Sequence, residues 1–316
     1  MAAIAMRQAY GEALAELGRR DPRIVVLDAD TSSSTRSAVF AGAFPDRFFN
    51  VGIAEANMAA MAAGLAATGK IPFINTFACF MVLRCGDPIR SLIAYSSLNV
   101  KIAGNYAGIS DSYDGASHHA ILDVAFMRAL PNMTVLCPCD AAEAARATEA
   151  AAAHDGPVYL RLLRNPVPDL TADPREPFHI GRGRILREGH DVTLVAAGSM
   201  VARALAAAES LAARGVSARV VNMATIKPLD AELILRCAEQ TRGIVTAEEH
   251  SVLGGLGGAV AELLGENRPT PMAFVGLQDT FVESGDQEKL MEAYGLTADR
   301  IAGKAMAVLE GKGGRG

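Results

Sequence analysis

The 316-residue chain reads as an α/β protein built from two doubly wound, three-layer α/β/α domains. Short apolar runs rich in Val, Ile and Leu alternate with Ala-, Leu- and Met-rich stretches of helical period, the pattern of a parallel sheet covered on both faces. A proline-bearing stretch of weak pattern, residues 165–176, interrupts this alternation past the middle of the chain. Such a length suits two domains of about 100–200 residues each. The expected division is 1–176 and 177–316.

In the first half, residues 7–17 predict a helix, 24–28 a buried strand, 55–68 a helix, 71–75 a strand, 80–95 a helix and 99–103 a strand. Residues 104–119 follow as a polar, glycine-bearing stretch with neither period. Loops at strand ends are where open α/β sheets bind ligands. The alternation resumes with helix 120–129, strand 134–137, helix 141–153 and strand 158–162. The second half predicts strands 192–196, 218–222, 243–247 and 272–275, with helices 201–214, 231–239, 257–264 and 298–310. Residues 311–316 are expected to be disordered.

A formal net charge of −5 and a pI near 5.7 argue against a sequence-independent grip on nucleic acid, which needs a clustered basic face. Every apolar run is interrupted short of transmembrane length. The first ten residues carry Arg7 as their one charge and no long apolar core, so they do not read as a signal peptide, and a cytoplasmic location is expected. Five cysteines, an odd number, fit reduced thiols better than a disulfide framework. Cys137-Pro138-Cys139 lacks the second Cys pair of a zinc site and reads as a strand end running into a loop.

Three segments carry chemistry. Val51-Gly52-Ile53-Ala54-Glu55-Ala56-Asn57-Met58 places one carboxylate at the start of an apolar helix. Glutamate there also complements the helix dipole. If Ile53, Met58 and Met61 enclose the carboxyl, its ionisation is disfavoured. Asn75-Thr76-Phe77-Ala78-Cys79-Phe80 sets two aromatic rings three residues apart, which is also ordinary core spacing. Asp114-Gly115-Ala116-Ser117-His118 closes the irregular loop with a histidine beside an Asp-Gly turn. His118-His119 is a poor metal pair, because successive side chains diverge, and no metal ligands are expected on this chain.

These segments together resemble the thiamine-diphosphate enzymes of the transketolase family. The resemblance covers essentially the whole chain, as the pyrimidine-binding and C-terminal domains. It implies that Glu55 hydrogen-bonds N1′ of the cofactor's aminopyrimidine, that Phe77 and Phe80 pack against that ring, and that Asp30 lies near the thiamine. It makes Glu55 and His118 catalytic, with His118 and Asp114 recognising donor-sugar hydroxyls. Arg7, Ser34 and Arg164 align with residues that hold a sugar phosphate, and an arginine fork suits a phosphate or a sulfonate. Taken singly, Arg7 could snorkel from a helix, Arg164 could cap a strand end, and Asp30 could cap a turn.

The departures from the family pattern are specific. Leu83 takes the third aromatic position, Tyr106 stands where many members have histidine, Asp111-Ser112-Tyr113 replaces Val-Gly-Glu, and His119 replaces glutamine. They imply an altered donor or acceptor sugar. The Gly-Asp-Gly…Asn segment that binds Mg²⁺ and the diphosphate in the family has no match here. A separate N-terminal subunit is therefore expected, with two copies of each chain.

Two other readings stand beside a two-carbon ketol transferase. The β-subunit of a 2-oxoacid dehydrogenase shares the fold and the glutamate, but the segment from Asp114 to His118 favours the sugar enzyme. A non-catalytic paralogue is the second, motivated by Tyr106 and Asp111. Gly254-Gly255-Leu256-Gly257-Gly258 fits a dinucleotide site poorly, since its spacing is wrong and Glu248-Glu249-His250 crowd the approach.

Overall fold

The computed structural model describes residues 4–171, 173 and 177–311. The tail 312–316 and Pro174 of the interdomain stretch lie outside the described residues.

Six strands of the first half are β1 (Ile24–Asp28), β2 (Phe48–Asn50), β3 (Ile71–Phe77), β4 (Lys101–Asn105), β5 (Thr134–Leu136) and β6 (Val158–Leu162). Those of the second are β7 (Arg184–Arg187), β8 (Val192–Ala196), β9 (Ala218–Asn222), β10 (Thr225–Lys227), β11 (Ile244–Ser251) and β12 (Met272–Leu277). The first sheet runs β10-β5-β6-β4-β3-β1-β2 and the second β12-β11-β8-β9-β7. Neighbours are parallel except for β10 on β5 and β7 on β9. This is the α/β architecture that the alternation predicts.

Strands buried on both faces explain the unbroken apolar runs. Helices Met6–Arg20 and Ala141–Ala153 cover one face of the first sheet. There Met6, Tyr10 and Leu14, with Ala144, Ala147 and Ala151, pack with Val26, Phe73 and Leu160. Against the other face Met58, Ala62, Val82, Ile89 and Val124 pack with Val25, Leu27, Ile74 and Ile102. That core continues into Val195, Val221, Leu233 and Leu256 of the second half, so the two sheets share one apolar interior. A third cluster lies where helices Met200–Ala212 and Ala298–Leu309 back the second sheet.

Three differences from the sequence reading have physical causes. The helix expected over 80–95 is broken into Ala78–Leu83, Gly86–Pro88 and a π-helical turn Ile89–Ala94. Gly86 and Pro88 interrupt it, the latter lacking an N–H to donate. Strand β10 lies beyond the expected boundary yet pairs with β5, Thr225 opposite Leu136, and covers what would be a bare sheet edge. Strands β3, β4 and β11 extend past their expected ends because Thr76, Asn105, Glu248, Glu249 and His250, polar by type, are buried there.

Among the described residues, no helix is long and apolar enough to cross a membrane.

Candidate active site

In the first sheet the chain leaves β1 for β2 on one side and returns to β3 on the other. This makes the β1–β3 boundary a topological switch point, where such sheets bind ligands beyond their carboxyl ends. The loops leaving β1, β2, β3, β4 and β6 carry, in turn, Asp30 and Ser34, Glu55, Phe80, Tyr106 to His118, and Arg164.

The β1 loop is organised by buried Asp28, which accepts from Thr31 N (2.5 Å), Thr35 Oγ1 (2.8 Å) and Ser37 Oγ (2.8 Å). Burial nevertheless pushes its carboxyl above the ordinary range. Asp30 is exposed at φ +64°, and its carboxylate accepts from Asn50 Nδ2 at 3.0 Å, which ties the β1 and β2 loops together. Gly52, at φ +70°, makes the turn that starts helix Glu55–Ala67. The left-handed backbone at that turn favours glycine.

Glu55 is buried at the first position of that helix. The apolar enclosure expected around it is not formed. Met58 is buried, but Ile53 is 77% exposed and Met61 38% exposed. The carboxylate instead meets the Arg84 guanidinium at 2.5 Å, and that guanidinium lies 3.8 Å from the Phe80 ring centroid. The expected apolar enclosure is thus replaced by a guanidinium contact in this chain.

Phe77 ends β3 and Phe80 lies in the next helical turn, their centroids 5.8 Å apart. Tyr106 stacks on Phe77 at 4.5 Å, and the His118 ring meets Phe80 edge-on at 5.1 Å. His118 Nδ1 lies 2.9 Å from Ser117 Oγ. Asp111, Asp114 and His118 bring a side-chain O or N within 4.8 Å of one another. Gly115, at φ +74°, allows the Asp-Gly turn, and a Cβ there would lie 2.3 Å from Ser284 Oγ. Leu83, in the third aromatic position, is 67% exposed.

Arg7 and Arg164 flank Tyr106, their guanidinium carbons 5.3 Å and 5.1 Å from its ring centroid. Arg7 donates from Nε to Arg164 O (3.2 Å) and from Nη1 to Ser34 O (2.8 Å) and Tyr106 Oη (3.0 Å). Ser34, expected at the sugar phosphate, is tied to Arg7 through its carbonyl. Arg164 Nη1 pairs with Asp111 Oδ1 at 3.0 Å. Burial, with the nearby Asp114 charge, pushes the Asp111 carboxyl up to about 6 against the opposing pull of Arg164. Tyr106 holds φ +58°, a backbone state uncommon for a bulky residue and worth a functional hypothesis.

The second sheet clamps this loop. Glu249 accepts from Ile109 N at 2.8 Å and from Ser199 Oγ, while Gly285 N donates to Ser112 O at 3.0 Å and Ser251 N to Ile121 O at 2.9 Å. Arg161, buried in β6, donates to Asp123 (2.8 Å), to Ala120 O (3.1 Å) and to Glu249 O (2.9 Å). The glycine turn near residue 255 is filled from within, since Glu248 accepts from Leu256 N (2.7 Å) and Gly257 N (2.9 Å). An internal carboxylate thus occupies the helix N-terminus that a dinucleotide phosphate would need.

Glu55, Phe77, Phe80, His118, Asp114, Arg7 and Arg164 are therefore linked through direct contacts or shared neighbours at one end of the first sheet. Asp30 stands on the adjoining loop, with its Asn50 contact and no described tie to that cluster. Three contributors were not singled out from the sequence. Arg84 follows Phe80 by one helical turn, a spacing that could have indicated it. Asp28 lies in an Asp-Ala-Asp-Thr-Ser run typical of a hydrogen-bonded turn. Glu249 gives no local signal, because its partners are distant in sequence. Cys137 and Cys139 are buried free thiols at a strand end, with no place in a metal-ligand group among the described residues.

Residues 2–169 match the family "Transketolase, pyrimidine binding domain" and residues 181–301 match "Transketolase, C-terminal domain". A solved structure described as a split gene transketolase, inactive beta4 tetramer, is 53% identical, covers 97% of this chain and 99% of its own, and superposes with a TM-score of 0.91. The 6-deoxy-6-sulfo-D-fructose transketolase subunit SqwH of Clostridium sp. (strain MSTE9) is 47% identical over 97% of this chain and 95% of its own length. One subunit of the apulose-4-phosphate transketolase of Phocaeicola vulgatus is 38% identical over 96% of this chain and 97% of its length. The side-chain cluster at the carboxyl ends of the first sheet and these matches along nearly the whole length agree, and the chain belongs to the transketolase family.

Proposed function

We propose that the chain is the C-terminal subunit of a two-subunit transketolase that uses thiamine diphosphate and Mg²⁺. It moves a two-carbon ketol unit from a ketose with an anionic terminus to an aldose. The observation that carries this reading is the arrangement, at one end of the first sheet, of an acid, an aromatic pair, an imidazole and two arginines: Glu55, Phe77 with Phe80, His118, and Arg7 with Arg164.

The residues present fit the cofactor's pyrimidine end. Glu55 offers a carboxylate within the same contact chain as the Phe77 and Phe80 faces, and ring nitrogen and ring plane need those two kinds of partner. When bound, thiamine diphosphate supplies the carbon nucleophile and the electron sink for carbon–carbon cleavage. The chain's own work is then positioning and proton movement. Once parted from Arg84, Glu55 would hold a proton at the pyrimidine ring nitrogen, and Phe77 and Phe80 would fix the ring plane. His118, with its Nδ1 engaged by Ser117, keeps Nε2 for a hydroxyl of the sugar, and Asp114 orients the neighbouring hydroxyl. Arg7 and Arg164 hold the far terminus.

The diphosphate and Mg²⁺ belong to a separate N-terminal subunit in an α2β2 assembly. Support comes from the exposed apolar side chains beside the acid and its partner, Ile53 and Leu83, which a docking chain would cover. The relatives named as transketolase subunits point the same way. All five cysteines are free and buried, which suits a reducing cytoplasm.

The test is reconstitution with the N-terminal subunit, followed by parallel assays of ketose plus aldose and of 2-oxoacid plus an electron acceptor. Ketol transfer is expected, and Glu55→Gln should lower kcat by about 10²–10⁴-fold, the range of general acid–base catalysis, while the far-UV spectrum stays unchanged. Turnover of the 2-oxoacid alone would move the chain to the dehydrogenase class, and full activity of the variant would remove Glu55 from its role.

A further inference from the structure

Two cations and one buried anion meet around Tyr106. We propose that Asp111 is a specificity-determining residue that halves the positive charge of the subsite formed by Arg7 and Arg164. The subsite then selects a singly charged terminus, such as a sulfonate, over a dianionic phosphate ester. This rests on the placement of the sugar's anionic end at the two arginines.

The charge balance comes first. Arg164 Nη1 pairs with Asp111 Oδ1 at 3.0 Å. Asp111 is 1% exposed, so water does not screen the pair from its buried side, whereas Arg164 is 34% exposed and open to a ligand. With Asp111 ionised, these two guanidinium groups and one carboxylate sum to a single positive charge; Arg36, which also acts on Arg7, and Asp114, which acts on Asp111, are of opposite sign and both exposed to screening water. A phosphate monoester carries about −1.5 to −2 at neutral pH, whereas a sulfonate carries one charge.

Donor supply gives the same answer. The three N–H groups on Nε and Nη1 of Arg7 are committed to Arg164 O, Ser34 O and Tyr106 Oη, which leaves Nη2 for a ligand. Arg164 has one nitrogen engaged by Asp111. Arg7 therefore presents no intact fork to a dianion, and Arg164 keeps only its Nε/Nη2 edge, although bidentate forks are what make arginine strong on phosphate. Tyr106 lies between them, where many members have histidine. Asp114 lies beside Asp111 and His118, so a ligand next to Arg164 faces a further carboxylate.

All of these residues belong to this chain, so binding can be read without turnover. Calorimetric titration of the chain assembled with its N-terminal subunit, at neutral pH, with 2,3-dihydroxypropane-1-sulfonate and with glycerol 3-phosphate gives the affinity ratio directly. The wild type should bind the sulfonate more tightly. Asp111→Asn should shift the ratio toward phosphate by about tenfold or more, the scale of one close charge pair, while Asp111→Glu should leave it near the wild-type value. The proposal is overturned if the wild type binds the phosphate as tightly as the sulfonate, if Asp111→Asn leaves the ratio unchanged, or if neither probe binds. Absence of ketol transfer with these ratios intact would instead count against the transketolase reading alone.

Discussion

Replacing Asp123 by alanine tests how the second sheet and the substrate loop are held together. Asp123 and Arg161 are both buried, with Nε to Oδ2 at 2.8 Å and Nη2 to Oδ1 at 3.1 Å, and Tyr159 Oη donates to the same carboxylate at 2.7 Å. Burial opposes ionisation of Asp123, yet the Arg161 guanidinium, His250 and the Tyr159 hydroxyl together outweigh it and hold the carboxyl below its usual range. Asp123→Ala therefore strands a buried guanidinium, and breaking such a pair costs about 3–5 kcal/mol. At roughly 2–4 °C per kcal/mol this is a fall in Tm of about 6–20 °C.

The Asp123→Leu/Arg161→Leu double variant removes both charges and should be destabilised less than Asp123→Ala, because an apolar replacement of a whole pair is often near neutral. Urea unfolding of the wild type, the double variant and its two single leucine variants completes the cycle. A folded-state value below the unfolded one means that the contribution is present above about pH 4 and disappears as pH falls further, so the gap between wild type and Asp123→Ala should close in acid. A loss under about 1 kcal/mol for Asp123→Ala, against the range above, would refute the reasoning.

Other expectations follow from single contacts. Gly108→Ala places a Cβ 2.4 Å from Glu249 Oε1 at φ +63°, and should cost about 1–3 kcal/mol in denaturant titration for the backbone strain alone. Glu248→Ala uncovers the N–H groups of Leu256 and Gly257, and should lower stability by about 1–3 kcal/mol, the cost of leaving buried donors unsatisfied. The Asp111 carboxyl, pushed up to about 6 from an ordinary 3.8, gives the folded chain the tighter hold on a proton across that window. Its ionisation therefore weakens the fold as pH rises from about 4 to about 6, and Asp111→Asn should gain stability relative to wild type over the same interval. The gain is capped near about 3 kcal/mol, at 1.36 kcal/mol per pH unit.

The strand-and-helix alternation was legible because buried parallel strands and Ala-rich helices leave distinct periods, as in Val158–Leu162 and Ala141–Ala153. Strands of three or four residues, such as Phe48–Asn50 and Thr225–Lys227, are too short to show a period, and β10 joins the first sheet through a pairing that no local rule encodes. At the site, the segments around Glu55, Phe77 and His118 were readable as residue types at strand ends. Their partners were not. Arg84 reaches Glu55 across 29 positions and Glu249 reaches Ile109 across 140, and contacts over such separations exist only once the chain has folded. The apolar cage expected around Glu55 failed for a related reason, since a neighbour in sequence such as Ile53 can point outward at a turn.

The central claim is that Glu55 serves the pyrimidine of thiamine diphosphate. A crystal structure of this chain assembled with its N-terminal subunit and the cofactor decides it. A Glu55 carboxylate oxygen within about 3 Å of the aminopyrimidine N1′, with the ring against Phe77 and Phe80, is the predicted result. A cofactor bound with Glu55 still closed on Arg84 and no contact to the pyrimidine would contradict it.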